Sequence, residues 1–520
     1  MSRIAVIGAG IGGLSAALRL THAGHDVTVF DRASGPGGKM RRVPSAAGPV
    51  DAGPTVLTMK PVFDTLFAEV GERLADHVTL TAEPVLARHF WCDGTVLDLS
   101  RDAARTEADI ADVFGPRSAR DFAAFHARTS LLFDAFEGPM MRRAAPSLWN
   151  MLAVVAKQPG LLRAMAPHQS LAAHLFGTFS EPRLAQLFSR YATYVGGLPA
   201  SCPALLGLIW QAESRGVWHV EGGMHALALA IERLARTFGA TFVYDCPVTG
   251  IETDRGRAVA VRAGGTRHAA EAILFNGDPR ALREGLLGRD PDRAVTARAI
   301  APRSLSAMVM SFAAVPQGLP LSAHNALFAD DPVREYAPLA QGRVQSDPTL
   351  YICAQDRFGG NVPQGPERFE VIQNAPPVDP NLITDMKERQ TCRTEILTRL
   401  SRFGLTFTPP PGPEALTMPQ DFARMFPGSN GALYGRSPHG VMAAFRRPTA
   451  RTGLPGLYLA GGGAHPGAGL PMATLSAGHA AEAICADLPL TLPCRRGATP
   501  GGTSTGSATT ARAPSRSSAS

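Results

Sequence analysis

The opening of the chain constrains its fold more than any other stretch. Residues 3–7, "RIAVI", are apolar throughout after Arg3, as a buried parallel strand requires, and Gly8-Ala9-Gly10-Ile11-Gly12-Gly13 follows at once. An apolar helix is predicted from about Gly12 to Ala23, and "DVTVFD" (Asp26–Asp31) alternates as a second strand that ends on an acid. Strand, turn, helix and strand within about 30 residues make a βαβ unit. Its G-x-G-x-x-G pattern sits where the mechanism needs it. Gly8 permits the tight turn, Gly10 lets the backbone at Ala9 approach a pyrophosphate, and Gly12 and Gly13 open a helix whose N-terminus favours phosphate. Gly13 also lets helix and strand pack closely. Asp31, 18 residues beyond Gly13, is placed to bind ribose hydroxyls. These residues predict a Rossmann-like α/β domain that binds a dinucleotide.

The chain continues "DRASGPGGKMRR", so that Gly37, Gly38 and Lys39 follow Asp31 and Arg32 closely enough to pass the same ligand. "DAGPTVL" (Asp51–Leu57) adds another turn, with Gly53, Pro54 and Thr55. NAD domains do not need these extra turns, whereas FAD domains of the glutathione-reductase type commonly have them, and no second G-x-G-x-x-G marks a separate nicotinamide domain. FAD alone is the predicted cofactor. Near the C-terminus stands a second glycine-rich turn, "GGGAHPGAGLPMATLSAGHAAEAI" (Gly461–Ile484). Gly462 and Gly463 can present N–H groups to a phosphate, and Gly467 and Gly469 can let backbone lie against a flavin. Pro471, between Leu470 and Met472, suits the first turn of a helix predicted from about Leu470 to Ala486.

At 520 residues the chain exceeds the size at which single cores stop growing, and two domains are expected. The βα alternation breaks over 84–218, which reads as mostly helical and apolar, and resumes at "GGMHALALAIERLARTFG", where one apolar stripe ends at Gly239. The FAD domain is therefore predicted in three pieces, 1–83, 219–282 and 433–488. A mixed α+β substrate domain is inserted as 84–218 and 283–432, and a tail rich in Thr, Ser, Gly, Ala and Pro over 489–520 is expected to be disordered. The formal charge is +7, but the residues from Thr491 onward hold four arginines and no acid, which leaves +3 for the rest. With no basic stripe studded with aromatics, nucleic-acid binding is not expected. Seven dispersed cysteines form no CxxC, and the 14 histidines lack ligand spacing, so neither a disulfide framework nor a metal site is predicted. No signal peptide and no spanning helix are recognisable, and a cytoplasmic enzyme is the expectation.

"AVIGAGIGGLSAALRLTHAGHDVTVFDRASGPGGKM", "DAGPTVLT", "VEGGMHALALAIERLA", "NGDP" and "GLYLAGGGAHPGAGLPMATLSAGHAAEAI" together resemble the flavin-containing amine oxidase and phytoene desaturase superfamily, in the family's order and over the whole chain except the tail. "AHPGAGLP" is similar to the "THPGAG(I/V)P" of carotenoid desaturases. Gly462 and Gly463 depart from the acid common in amine oxidases, and the motif most resembles the 1-hydroxycarotenoid (methoxyneurosporene) 3,4-desaturases of purple bacteria. "NGDP" departs from the commoner "NADP". The resemblance implies an FAD enzyme that forms a C3–C4 double bond in an acyclic hydroxylated carotenoid, by hydride transfer to flavin N5. It also implies contacts to the cofactor from the turns above and from Val248. The second helix would then stabilise charge developing near N1 and C2=O. Oxygen or a quinone would take the electrons.

His465, the titratable residue within the motif, stands as a weak candidate base or as a satisfied turn histidine. A carotenoid lives in a membrane. The apolar helices at about 145–180, preceded by Arg142 and Arg143, are the candidate docking surface for a peripheral enzyme of the inner photosynthetic membrane. Phytoene desaturase, carotenoid isomerase, soluble amine oxidase and a non-enzymatic carotenoid or flavin carrier are the rival readings.

Overall fold

The computed structural model describes residues 1–378 and 385–489. The expectation for the tail lies outside these residues apart from Pro489. Five parallel strands form one sheet in the order Leu457–Leu459, Ala272–Phe275, Arg3–Ile7, Asp26–Phe30 and Thr241–Val243. Its central strands are buried on both faces, as continuous apolar runs such as "AILF" require. Helices Ile11–His22, Met224–Thr237 and Leu470–Asp487 supply much of the core around this sheet. The stripe on Met224–Thr237 is buried at Met224, Leu227, Ala228, Ile231, Leu234 and Ala235, and Gly239 follows it at φ +99°. A three-stranded antiparallel sheet, Val248–Asp254, Arg257–Ala263 and Thr266–Ala269, lies between two strands of the parallel sheet in sequence. Its first turn puts Arg255 and Gly256 at positive φ, the backbone a two-residue hairpin loop needs.

The chain leaves this body at Leu80–Ala82 and re-enters at Trp218–Val220, and those two strands pair with each other. Between them the segment read as mostly helical begins with a hairpin, Val85–Phe90 and Val96–Ser100. The hairpin joins the sheet formed by Thr406–Thr408, Ser306–Gln317, Glu367–Ala375, Leu350–Ala354 and His324–Leu327, with Leu416–Thr417 on the side. "VLDLS" does alternate as a strand should, but five residues carry too little periodicity to override the apolar run around them. Helices follow from Ala103 to Ser214. They pack on an aromatic core in which the Phe188 ring lies 4.5 Å from Phe125, 5.3 Å from Phe179 and 5.5 Å from Trp210. Rings spaced this way give the helical layer its rigidity, each pair adding roughly 0.5–1.5 kcal/mol to its area burial.

Candidate active site

The two glycine turns meet. A Cβ added at Gly12 would stand 2.9 Å from Gly461 Cα, so neither turn tolerates a side chain at the contact. Gly8 takes φ +102°, and a Cβ at Gly13 would fall 1.9 Å from the Gly8 carbonyl, which is the helix–strand contact the motif predicts. Asn276, from "NGDP", sits between the turns and donates through Nδ2 to the carbonyls of Gly8 at 3.2 Å and Gly10 at 3.4 Å. Asp31 accepts from Ala9 N–H at 2.6 Å and Ala33 N–H at 2.8 Å. Each of its oxygens keeps a lone pair for a ribose hydroxyl. Gly37 N–H donates to the Ala9 carbonyl, and Gly38 packs against Gly10, so the extra turn lies directly on the first.

The C-terminal turn is held by Arg447. Its Nη1 donates to Gly462 O at 2.9 Å, and its Nη2 donates to Tyr434 O at 3.0 Å and Arg436 O at 2.8 Å. Burial pushes this guanidinium down to about 10, so it stays charged at neutral pH. His465 Nε2 lies 2.9 Å from the Arg143 carbonyl, which makes it the donor. Burial pushes the imidazole down to about 4, and His479, stacked on it, binds the Met141 carbonyl. The two histidines thus tie the C-terminal glycine turn and its helix to residues 141–143. A neutral ring whose Nε2–H is committed to backbone suits the structural alternative for His465, while its Nδ1 lone pair keeps the base alternative standing. Arg142 pairs with Glu137 at 2.7 Å.

Both glycine turns open onto one cavity of about 1480 Å³. Of the residues predicted to touch the cofactor, Gly8, Gly10, Gly12, Asp31, Arg32, Gly37, Gly38, Lys39, Gly53, Pro54, Thr55, Val248, Gly462, Gly463, Gly469, Leu470, Pro471 and Met472 form its wall, and so does His465. Ala9 and Gly13 do not. Ala9 is fully buried beneath the loop, and Gly13 is used in packing. Helices Ile11–His22 and Leu470–Asp487 both start in this wall, with no side-chain cap and no acid in the first turn. Their leading N–H groups are thus left to an anionic ligand. Lys39, exposed on the cavity wall, adds a cation, and its Nζ donates to the Leu433 carbonyl. Uncapped helix ends, bare glycine backbone and an acid at a strand terminus fit FAD. A volume above the roughly 300–1,000 Å³ of a single-ligand site leaves room for a second molecule.

That second space is mainly apolar. Phe133, Phe136, Met140, Met141, Leu208 and Ile209 line it, and they belong to a cluster on which Met151, Val154 and Val155 of helix Leu148–Lys157 also pack. The outer face of this layer exposes Trp149 at 80 %, with Leu148, Leu152 and Leu162. Tyr351 OH donates to Thr55 Oγ1 at 2.9 Å and accepts from His324 Nδ1 at 2.6 Å, which joins the larger sheet to the third glycine turn. Among the described residues no group of histidines, cysteines and acids could hold a metal, and no helix is long and apolar enough to cross a membrane. Asn276, Arg447, Tyr351 and the buried pair Arg190 and Glu213 were not identified from sequence. "NGDP" marked the position of Asn276, but no local pattern distinguishes the others.

A parallel sheet with two glycine turns closing on one cavity defines a flavin-binding oxidoreductase fold. Residues 11–485 match the family model described as flavin containing amine oxidoreductase, and the chain belongs to that family. It is 52 % identical over 487 residues to a hydroxyneurosporene desaturase of Cereibacter sphaeroides, covering 94 % of this chain and 98 % of that protein. It is 47 % identical to one of Rhodobacter capsulatus, covering 93 % and 98 %. An oxidoreductase of known structure from Methanosarcina mazei superposes with a TM-score of 0.58 at 17 % identity, over 92 % of this chain and 100 % of that one, and shares the fold.

Proposed function

We propose that this protein is an FAD-dependent carotenoid desaturase that forms a C3–C4 double bond in acyclic 1-hydroxy or 1-methoxy carotenoids, in biosynthesis of the spheroidene or spirilloxanthin type. The observation that carries the reading is the single cavity in which bare glycine backbone and two uncapped helix ends share a wall with a long apolar chamber. It stands beside the identity to two hydroxyneurosporene desaturases. Bound FAD supplies the acceptor for the hydride that leaves one carbon while a proton leaves its neighbour. The chain's own part is to bind, orient and exclude water. Gly8–Gly13 with Asp31 hold the dinucleotide end, and Gly462–Met472 hold the ring end, where the Leu470–Asp487 helix N-terminus favours negative charge. The apolar wall positions the polyene and keeps the site dry. An electron acceptor, oxygen or a quinone, completes the cycle.

The substrate is collected from a membrane by the exposed face around Trp149 and Leu152, which backs onto the cavity wall. Trp149→Asp combined with Leu152→Asp should abolish flotation with anionic liposomes while leaving FAD content intact, and unchanged flotation would refute the docking surface. The activity is tested by incubating the FAD-loaded protein and liposomes with 1-hydroxyneurosporene and, separately, phytoene. Loss of two hydrogens and a red shift with the hydroxylated polyene alone is the expected result. Turnover of phytoene alone, or peroxide from amines, would refute it.

A further inference from the structure

Arg190 and Glu213 are 4 % and 3 % exposed, yet both face the cavity. Neither Glu213 oxygen has an aligned hydrogen bond, nor do Arg190 Nε, Arg190 Nη2 or the Tyr191 hydroxyl, although the hydroxyls of Tyr191 and Tyr194 stand close enough to the carboxyl to favour its charged form. The groups are close. The Arg190 guanidinium lies 5.1 Å from the Tyr194 ring centre, and Arg190, Tyr194 and Tyr191 all act on the Glu213 carboxyl. Burial pushes that carboxyl up against the pull of Arg190. Buried charges that serve only as a structural pair satisfy one another with aligned bonds, because the desolvation cost is otherwise uncompensated. Here the guanidinium and two tyrosine hydroxyls converge on the carboxyl without an aligned bond to it. In a chamber walled mainly by apolar groups, such convergent polar groups orient a ligand.

We propose that Arg190, Tyr194 and Glu213 bind the C1 oxygen of the polyene, and so select acyclic carotenoids with a hydroxyl at that end over their unhydroxylated counterparts. The inference rests on the desaturase reading and adds to it the residues that recognise the substrate. An acyclic hydroxycarotenoid carries one polar group on a long hydrocarbon. That hydroxyl has one proton to give and lone pairs to receive, which matches a carboxylate beside a guanidinium. Position agrees as well. The bond to be oxidised, C3–C4, lies only a few atoms from the C1 oxygen, so the recognition site must stand beside the cofactor turns and not at the far end of the chamber. Tyr351 acts on Arg190, Tyr194 acts on Tyr351, and Tyr351 is bonded to Thr55 of the third glycine turn. Glu370, a second buried carboxyl in the wall whose oxygens also lack an aligned bond, faces Arg41 and the backbone of Gly53, which places it beside the third glycine turn.

The test compares 1-hydroxyneurosporene with neurosporene in the FAD-loaded enzyme. A site built to hydrogen-bond a hydroxyl should prefer the hydroxylated polyene by on the order of 100-fold or more in kcat/KM, because the analogue leaves buried polar groups unpaired. Arg190→Met with Glu213→Leu removes both charges together, which avoids stranding one of them. This double variant should keep its flavin absorption, lose most of its rate on 1-hydroxyneurosporene, gain on neurosporene, and bring the preference near unity. Tyr194→Phe should lower the preference by about tenfold, mostly through KM, and stands in should the double variant fail to retain FAD. A preference that survives in the variants, or equal losses on both substrates with FAD content normal, would overturn the assignment. Wild-type enzyme that takes both polyenes alike would overturn it too while leaving the desaturase reading intact. Wild-type enzyme that desaturates neither would overturn both.

Discussion

Arg447→Met is expected to loosen the C-terminal glycine turn and, through it, FAD binding. The wild-type guanidinium is buried and makes three hydrogen bonds, to the carbonyls of Gly462, Tyr434 and Arg436. Two effects oppose each other. Burial lowers its pKa from 12.5 to about 10, so removing the charge relieves a desolvation cost of about 3 kcal/mol. Against this, hydrogen bonds from a charged donor contribute about 1.5–3 kcal/mol each, and the stranded carbonyls then pay their own burial penalty. Three such bonds outweigh the relief, and the net loss is about 3 kcal/mol. Because Gly462 and Gly463 line the cavity proposed to hold FAD, much of that loss must be recovered when FAD orders the turn. The dissociation constant for FAD should therefore rise by roughly 100-fold. Titration of the apoprotein with FAD, followed by quenching of flavin fluorescence, measures this directly. Arg447→Lys should fall in between, since one ammonium lacks the fork that spans three carbonyls. An FAD affinity within about twofold of wild type for Arg447→Met would refute the reasoning.

Gly13→Ala should yield protein without bound FAD, because its Cβ would overlap the Gly8 carbonyl at 1.9 Å and force the first helix off the sheet; flavin absorbance of the purified protein checks this. Asp31→Ala strands the buried N–H of Ala9, at about 1–3 kcal/mol, and should weaken FAD binding by at least tenfold, measured by the same fluorescence titration. Glu335, buried against Thr349, is pushed up from 4.5 to about 7 by burial. As pH rises from about 4.5 to 7 the unfolded chain releases this proton while the folded one holds it, so the wild type loses up to about 3 kcal/mol of stability across that window. Glu335→Gln should lack this loss and be the more stable protein at pH 8 but not at pH 4.5, as read from urea midpoints. Parallel stability profiles for the two proteins would contradict the burial of that proton.

The sequence by itself determined the nucleotide-binding half. A strand, a glycine turn, a helix and an acid-tipped strand are local features whose spacing is set by backbone geometry, and Gly8, Gly10, Gly12 and Asp31 fell where that spacing placed them. The same holds for the helix opened by Gly469 and Pro471, whose first residue was read to the position. The tertiary structure alone decided that Gly12 touches Gly461, because that contact depends on three distant segments taking neighbouring places in one sheet. It also decided the fate of the polar side chains. Arg447, Arg190 and Glu213 look like surface charges when read along the chain. Only packing removes them from water, and only burial turns a charge without an aligned partner into a demand for a ligand. The short hairpin Val85–Phe90 and Val96–Ser100 went unread for a related reason, since a strand that completes a distant sheet is specified by its partners more than by its own few residues.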